Sequence, residues 1–88
     1  MAYEVVILPE ALRQLAHFPK QEQRHIRERI DRLRSNPRPS GVKLLRDRQE
    51  LFRLRVGDCR ILYEIEDELL IVSVIRIAHR REVYRRLH

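Results

Sequence analysis

Three arginines around a short turn are the residues whose type and spacing best support chemistry. Arg53, Arg55 and Arg60 flank the dipeptide Gly57-Asp58. A guanidinium binds a phosphate through two parallel hydrogen bonds and keeps its charge at neutral pH. A cluster of such groups favours phosphate binding and stabilises the negative charge that develops during a reaction at phosphorus.

The pattern around Gly57-Asp58 predicts a β-hairpin, because apolar and polar residues alternate on both sides of it. Counting outward from a two-residue loop pairs Val56 with Cys59, Arg55 with Arg60, and Arg53 with Leu62. The predicted core face carries Phe52, Leu54, Val56, Cys59, Ile61 and Tyr63. The arginines share the other face, where directly opposed like charges destabilise a sheet by up to ~1 kcal/mol. The arrangement therefore indicates an anion site.

An alternative interpretation of the arginines is an ion-pair network on the surface. Glu50, Glu64 and Glu66 are the acids near enough in sequence to neutralise them. These acids lie at the strand ends rather than between the arginines, which favours the anion site.

The C-terminal segment adds further groups suited to phosphodiester chemistry. His79, Arg80, Arg81 and Tyr84 follow the last predicted strand. Cleavage by a neighbouring 2′-hydroxyl needs a proton acceptor, cations for the phosphate oxygens and a donor for the leaving oxygen. The four histidines and Cys59 show no metal-ligand spacing, so neither a metal nor another cofactor is predicted.

The length of the chain predicts a single domain spanning 1–88. Its charge predicts a polyanionic partner. The formal net charge is +6, and of the nineteen basic residues only Lys20 and Lys43 are lysines. Such a charge indicates nucleic acid or an acidic protein, although it is also compatible with a merely soluble cationic surface.

The single cysteine and the hydropathy pattern indicate the cellular compartment of the protein. Cys59 excludes an internal disulfide and is predicted to be a buried structural thiol. Neither a signal peptide nor a run of about 18 apolar residues is present, which predicts a soluble, cytoplasmic protein with no membrane contact.

The elements that must position these residues are predicted to form an α+β fold. An N-terminal strand precedes an antiparallel helical hairpin, a loop, a three-stranded antiparallel meander and a short C-terminal helix or tail. The predicted bounds are Tyr3–Leu8, Glu10–His17, Gln21–Leu33, Ser35–Gly41, a meander from Leu51 whose last, mid-sheet strand is Leu69–Ile77, and a tail from His79 to His88.

The second helix carries many charges at four-residue spacing. Arg24 with Glu28, Glu28 with Arg32, and Arg27 with Asp31 are predicted to pair on its outer face. This favours a solvated helix surface over an RNA-binding one.

This order of elements, the run from Phe52 to Ile65 and the ending His79-Arg80-Arg81-Glu82-Val83-Tyr84 resemble RelE-type toxins of the RelE/ParE superfamily. The resemblance covers nearly the whole chain and implies the RelE-like microbial RNase fold. It implies a toxin that enters the A site of the 30S ribosomal subunit and cleaves mRNA there, inhibiting translation. The 2′-hydroxyl attacks the phosphate, leaving a 2′,3′-cyclic phosphate. A cognate antitoxin is the implied protein partner, and no small-molecule ligand is implied.

The resemblance also implies roles for individual residues. Arg60 and Arg80 would hold the scissile phosphate, with Arg81 as the alternative to Arg80. Tyr84 would stack on a base or assist proton transfer. Contacts to ribosomal RNA are expected from the loop before the meander, namely from Lys43, Arg46 and Arg48.

One departure from the family concerns Arg53 and Arg55, where the best-known members have lysines. Arginine is a poor general acid or base, since its pKa in general lies above ~12. We therefore expect these two residues to act electrostatically, with Tyr84 or His79 transferring the proton. An imidazole suits that task, although His79 could instead cap the strand end.

Two other functions remain open at this point. A ParE-like protein would share the fold and poison DNA gyrase without nuclease activity. A nucleic-acid-binding module without activity is less favoured, because the sequence lacks an aromatic stacking platform.

Overall fold

The computed structural model describes residues 2–46 and 50–79, without the side chain of Arg46. Its elements in chain order are β1 (Glu4–Ile7), α1 (Pro9–Ala16), α2 (Lys20–Arg32), β2 (Lys43–Arg46), β3 (Leu51–Val56), β4 (Cys59–Glu66) and β5 (Ile71–His79). The predicted α+β class is confirmed, and so are the first strand and both helices, each displaced by about one residue at its ends. Within the described part, neither helix has the length and apolarity needed to span a bilayer.

All five strands belong to one sheet in the order β1-β5-β4-β3-β2. β1 runs parallel to β5, and the remaining neighbours are antiparallel. The predicted mid-sheet position of the last strand is confirmed, because β5 pairs with β1 on one side and β4 on the other. That strand begins at Ile71 rather than at Leu69, since Leu70 has a left-handed φ of 55° within the preceding turn.

The three-stranded antiparallel meander is confirmed in β3, β4 and β5, but the prediction of a loop before it was wrong. Lys43–Arg46 forms β2 and pairs with β3, with an irregular register between Leu44 and Arg46. Two adjacent leucines and this irregularity hide the period of two by which a strand is recognised. His79, predicted as the first residue of the C-terminal helix or tail, is the last residue of β5, and the rest of that segment lies outside the described residues.

Both helices pack on one face of the sheet. The helices contribute Ala11, Leu15, Ile26 and Ile30 to the core, and the sheet contributes Phe52, Leu54, Val56, Cys59, Ile61, Tyr63, Ile65, Val72, Val74 and Ile77. The six residues predicted for the core face of the hairpin are therefore confirmed. The side-chain oxygen of Gln14 in α1 also accepts a hydrogen bond from the backbone N–H of Ile77 at 2.7 Å. This contact gives a partner to a backbone donor of β5 that lies beyond the end of β1.

The loop between α2 and β2 is fixed to the sheet through an aromatic side chain. The Tyr63 hydroxyl donates a 2.7 Å hydrogen bond to the carbonyl of Pro37. Its ring is fully buried and stacks on Phe52 with a centroid separation of 5.7 Å. The helix side of β3 and β4 is thereby held rigid, and their other face carries the candidate site.

Candidate phosphate-binding site

The β3–β4 hairpin has the register predicted from its two-residue turn. Arg55 lies opposite Arg60, and Arg53 lies opposite Leu62. Gly57 in the turn has a φ of 59°, a conformation that glycine adopts at little cost. Since paired residues of an antiparallel ladder point to the same side, these arginines share the sheet face that the helices leave uncovered.

Arg60 is the most unusual of these side chains, because it is charged and yet only 2% exposed. Its Nε and Nη1 atoms are buried without a hydrogen-bond partner among the described residues. Leaving a buried polar group unsatisfied costs about 1–3 kcal/mol, and more when the group is charged. A guanidinium cannot escape that cost by losing its proton. An anion near Arg60 and Arg55 would offset this positive charge.

Two further cations extend this surface. We define the cationic face as the basic residues on the side of the sheet opposite the two helices: Lys43, Arg53, Arg55, Arg60 and Arg76. Lys43, predicted in a loop, lies on β2 directly opposite Arg53. Arg76 lies opposite Leu62 on β5 and was missed by the sequence analysis. The available signal was that Arg76 alone carries a charge within the otherwise uncharged stretch Leu69–Ile77.

Glu50, Glu64 and Glu66, the acids considered as neutralising partners, form no ion pair with Arg55 or Arg60 among the described side chains. Glu50 forms an ion pair with Arg38. The pairs seen in this part of the chain therefore leave the charge of Arg55 and Arg60 uncompensated.

His79 is placed away from the arginine pair. It pairs with Cys59, whereas Arg60 pairs with the preceding residue of β5, Ala78. His79 therefore belongs to the helix side of the sheet, where it borders a cavity of about 290 Å³ next to His25 of α2. The register does not bring its imidazole to the face on which Arg60 lies.

The remaining predicted site residues are described in part or not at all. Arg46 ends β2 opposite Leu51, but only its backbone is described. Arg48, Arg80, Arg81 and Tyr84 lie outside the described residues.

Cys59 has the buried position predicted for it. Desolvation raises the pKa of its thiol to about 12, so it is protonated at neutral pH and is a poor nucleophile or metal ligand. Within residues 2–46 and 50–79, no group of three or more His, Cys, Asp and Glu side chains is arranged to hold a metal ion.

The outer surface of α2 does not show its predicted ion pairs. Asp31 pairs with Arg34 at 3.3 Å, and none of the three predicted pairs is present among the described side chains. The larger concavities include a groove of about 660 Å³ between α2 and β1, lined in part by Arg24, Arg27 and Val5. None of the predicted site residues lines that groove. We therefore locate the candidate site by charge and burial rather than by concavity.

The described geometry is suited to binding a phosphate and stabilising its negative charge. The cationic face supplies positive charge on four neighbouring strands, and preorganised positive charge stabilises a phosphorane-like transition state. A guanidinium keeps its proton in proteins and is a poor proton acceptor. Proton transfer must therefore involve a group other than Arg55 and Arg60.

Comparison with known proteins gives one family match. The family model described as the ParE toxin of type II toxin–antitoxin systems, parDE, matches residues 5–84. The chain is also 27% identical over 88 residues to a protein named RelE1 from Methanocaldococcus jannaschii, covering 97% of this chain and 98% of that one. It is 39% identical over 54 residues to the toxin RelG of Mycobacterium tuberculosis, covering 61% of this chain and 62% of that protein.

Solved structures share the fold over most of the chain. The RelBE2 toxin–antitoxin complex of Mycobacterium tuberculosis matches with a TM-score of 0.79 and 30% identity, covering 91% of this chain and 93% of that one. An archaeal RelE–RelB complex from Pyrococcus horikoshii matches with a TM-score of 0.79 and 25% identity, covering 91% and 97%. The predicted RelE/ParE resemblance is thereby confirmed.

Proposed function

This chain belongs to the ParE toxin family of type II toxin–antitoxin systems, and we propose that it is a metal-independent endoribonuclease that cleaves mRNA in the ribosomal A site. The observation that carries the proposal is the pair Arg55 and Arg60 on the uncovered sheet face, with two buried guanidinium nitrogens of Arg60 lacking a partner among the described residues. A phosphodiester is the anion that such a pair fits, because a guanidinium binds phosphate oxygens in two-point fashion. The similarity to proteins named RelE supports the same assignment.

The proposed reaction is an in-line attack within the RNA. The 2′-hydroxyl oxygen of the nucleotide before the cut attacks phosphorus, and its proton passes to a base. The bond from phosphorus to the 5′-oxygen then breaks, that oxygen receives a proton, and a 2′,3′-cyclic phosphate remains. Arg55 and Arg60 stabilise the charge that grows on the non-bridging oxygens, while Arg53 contributes to the positive field.

We assign the remaining steps to the C-terminal segment. Arg80, with Arg81 as the alternative, holds the scissile phosphate together with Arg60. Tyr84 handles the proton or stacks on a base, and His79 is the alternative proton carrier. The register that assigns His79 to the helix side of the sheet favours Tyr84. Loss of cleavage in Tyr84→Phe with RNA binding intact would support this role, and unchanged rates in both Tyr84→Phe and His79→Ala would exclude both groups.

The cationic face also suits two further contacts. Lys43, Arg46 and Arg48 are proposed to contact ribosomal RNA phosphates, since single cations on strands and loops at the edge of such a face add affinity without chemistry. A cognate antitoxin with an acidic segment is proposed to cover the same face, as the RelB partners in the solved complexes suggest. Its association rate should then fall steeply with salt.

The test is mRNA cleavage in a purified translation system, with and without ribosomes, and with cut sites mapped by primer extension. We expect cuts confined to ribosome-bound mRNA at A-site codons. Arg60→Ala should slow cleavage by about 10²–10³-fold, the usual effect of removing one transition-state donor. Arg27→Ala removes the same charge from the outer surface of α2 and should leave the rate unchanged.

A second candidate function is binding to DNA gyrase without nuclease activity, which the ParE description of the matching family model favours. A pure binder does not need a buried guanidinium whose Nε and Nη1 lack a partner among the described residues, and the cationic face therefore favours the nuclease. Intact mRNA with correctly folded protein, together with inhibition of DNA supercoiling, would reverse this preference.

A further inference from the structure

Arg76 is a cation in a position where the fold alone gives no reason for one. It lies on β5 opposite Leu62 of β4, beyond Val74, which is the last residue of β5 that pairs with β1, and its side chain is half-buried. It forms no hydrogen bond or ion pair with another described residue. Desolvating a guanidinium without a partner is unfavourable. The position is therefore better explained by a ligand than by packing.

The register shows which residues Arg76 can act with. Lys43, Arg53, Leu62 and Arg76 form one line across four strands. Arg55, Arg60 and Ala78 form the adjacent line, toward the Gly57 turn. Arg60 and Arg76 are thus diagonal neighbours on one face, about 7–8 Å apart at their Cα atoms and within reach of the same ligand.

The surroundings of Arg76 define one end of the cationic face. Leu62 and Ala78, which separate it from Arg53 and Arg60, are buried and uncharged. The next residue of β4 on this face after Leu62 is Glu64, whose carboxylate repels a phosphate. A polyanion on this surface is therefore attracted to the part bounded by Arg60 and Arg76 and repelled beyond it.

We propose that Arg76 binds an RNA phosphate next to the scissile one, so that it contributes to RNA binding and not to the chemical step. This inference rests on the proposed function, because it assumes that the scissile phosphate lies between Arg55 and Arg60. The diagonal spacing allows Arg76 to hold the adjoining part of the RNA backbone while Arg60 holds the reacting group. Arg76 is thus a positioning residue that acts through the phosphate it binds.

The experiment measures kcat and KM for mRNA-programmed ribosomes in the wild type and in Arg76→Ala, Arg76→Met and Arg76→Lys. Arg76→Ala should raise KM about tenfold, since loss of one charge-assisted contact is worth about 1.4 kcal/mol. Its kcat should stay within about twofold of the wild type, because Arg76 does not touch the reacting atoms. Arg76→Met keeps the apolar stem and should behave like the alanine variant, whereas Arg76→Lys should recover part of the affinity.

A direct measurement of RNA binding distinguishes a phosphate contact from a purely structural role, because only the former changes the salt dependence of binding. The probe is an uncleavable single-stranded RNA with a 2′-deoxynucleotide at the cut site, bound at several salt concentrations. The slope of log K against log salt should fall by about 0.7 in Arg76→Ala, the value for one lost phosphate contact on a single strand. Arg27→Ala on α2, with the same loss of charge, should keep the wild-type slope.

The outcomes separate this inference from the proposed function. Cleavage by the wild type tests the nuclease activity, and the KM and salt slope of Arg76→Ala test the role of Arg76. Wild-type cleavage with an unchanged KM and slope in Arg76→Ala would overturn the inference alone. Recovery of affinity in Arg76→Met would also overturn it, because packing and not charge would then be the cause.

Discussion

Arg38 and Asp67 form a two-point ion pair that joins the α2–β2 loop to the β4–β5 turn. The two guanidinium Nη atoms of Arg38 donate to the two carboxylate oxygens of Asp67 at 3.2 and 2.8 Å. Arg38 also binds Glu50 and lies 5.6 Å from the centroid of the Phe52 ring, and the Tyr3 hydroxyl donates to Asp67 at 2.6 Å. This network holds Glu50 at the end of β3 that lies farthest from Arg55.

The Arg38–Asp67 pair predicts a loss of stability in acid. The hydrogen bond from Arg38, followed by that from Tyr3, lowers the pKa of Asp67 below its ordinary value of 3.8. Because the folded state prefers the ionised carboxylate, its contribution is complete above the unfolded pKa and is lost as pH falls through the folded one. Asp67→Asn should therefore lower the free energy of unfolding at neutral pH and flatten its decrease below pH about 4. Urea denaturation at several pH values measures this, and an unaltered pH dependence would contradict it.

The Tyr63 hydroxyl predicts a stability effect that its ring does not explain. Burial raises the pKa of Tyr63, so the hydroxyl stays a proton donor to the Pro37 carbonyl. Tyr63→Phe keeps the stacking on Phe52 but leaves that carbonyl without its donor, which should cost about 1–2 kcal/mol. The measurement is urea unfolding, with Tyr3→Phe as the control, because the Tyr3 hydroxyl is exposed and should matter less. Equal losses in the two variants would exclude a special role for the buried bond.

Arg60 predicts opposite changes in stability and activity. Arg60→Met keeps the apolar stem and removes a buried charge whose Nε and Nη1 have no partner among the described residues. The free protein should become more stable by about 1–3 kcal/mol, since exchanging a buried ion for an apolar group is often stabilising. Cleavage of ribosome-bound mRNA should be lost in the same variant. Thermal or urea unfolding tests the gain in stability, and the cleavage assay tests the loss of activity. A destabilised Arg60→Met would mean that other groups of the fold compensate the charge of Arg60.

Glu64 predicts a gain of affinity on its removal. Its half-buried carboxylate lies on the same face as Arg76 and repels a bound polyanion. Glu64→Gln should tighten binding to programmed ribosomes about two- to fivefold, corresponding to a surface charge effect of about 0.4–1 kcal/mol. Glu28→Gln on α2 makes the same change of charge away from the cationic face. Equal tightening in both variants would show that only net charge matters.

The sequence by itself determined those features that depend on near neighbours in the chain. A two-residue loop at Gly57-Asp58 sets the pairing of Arg55 with Arg60, because side-chain direction alternates with a period of two and leaves no other register that buries Phe52 and Tyr63. The apolar stripes of α1 and α2 likewise followed from three-to-four spacing, and their ends were predicted to within about one residue.

Only the tertiary structure decided which distant segments meet. The pairing of β1 with β5 and the strand at Lys43–Arg46 depend on long-range hydrogen bonds that no local period reveals. The register of β4 with β5 assigned His79 to the helix side and brought Arg76 to the face of Arg60. Burial is likewise a property of the whole packed sheet. The sequence could identify Arg60 as a cation, whereas the fold left its side chain only 2% exposed, with Nε and Nη1 lacking a partner among the described residues.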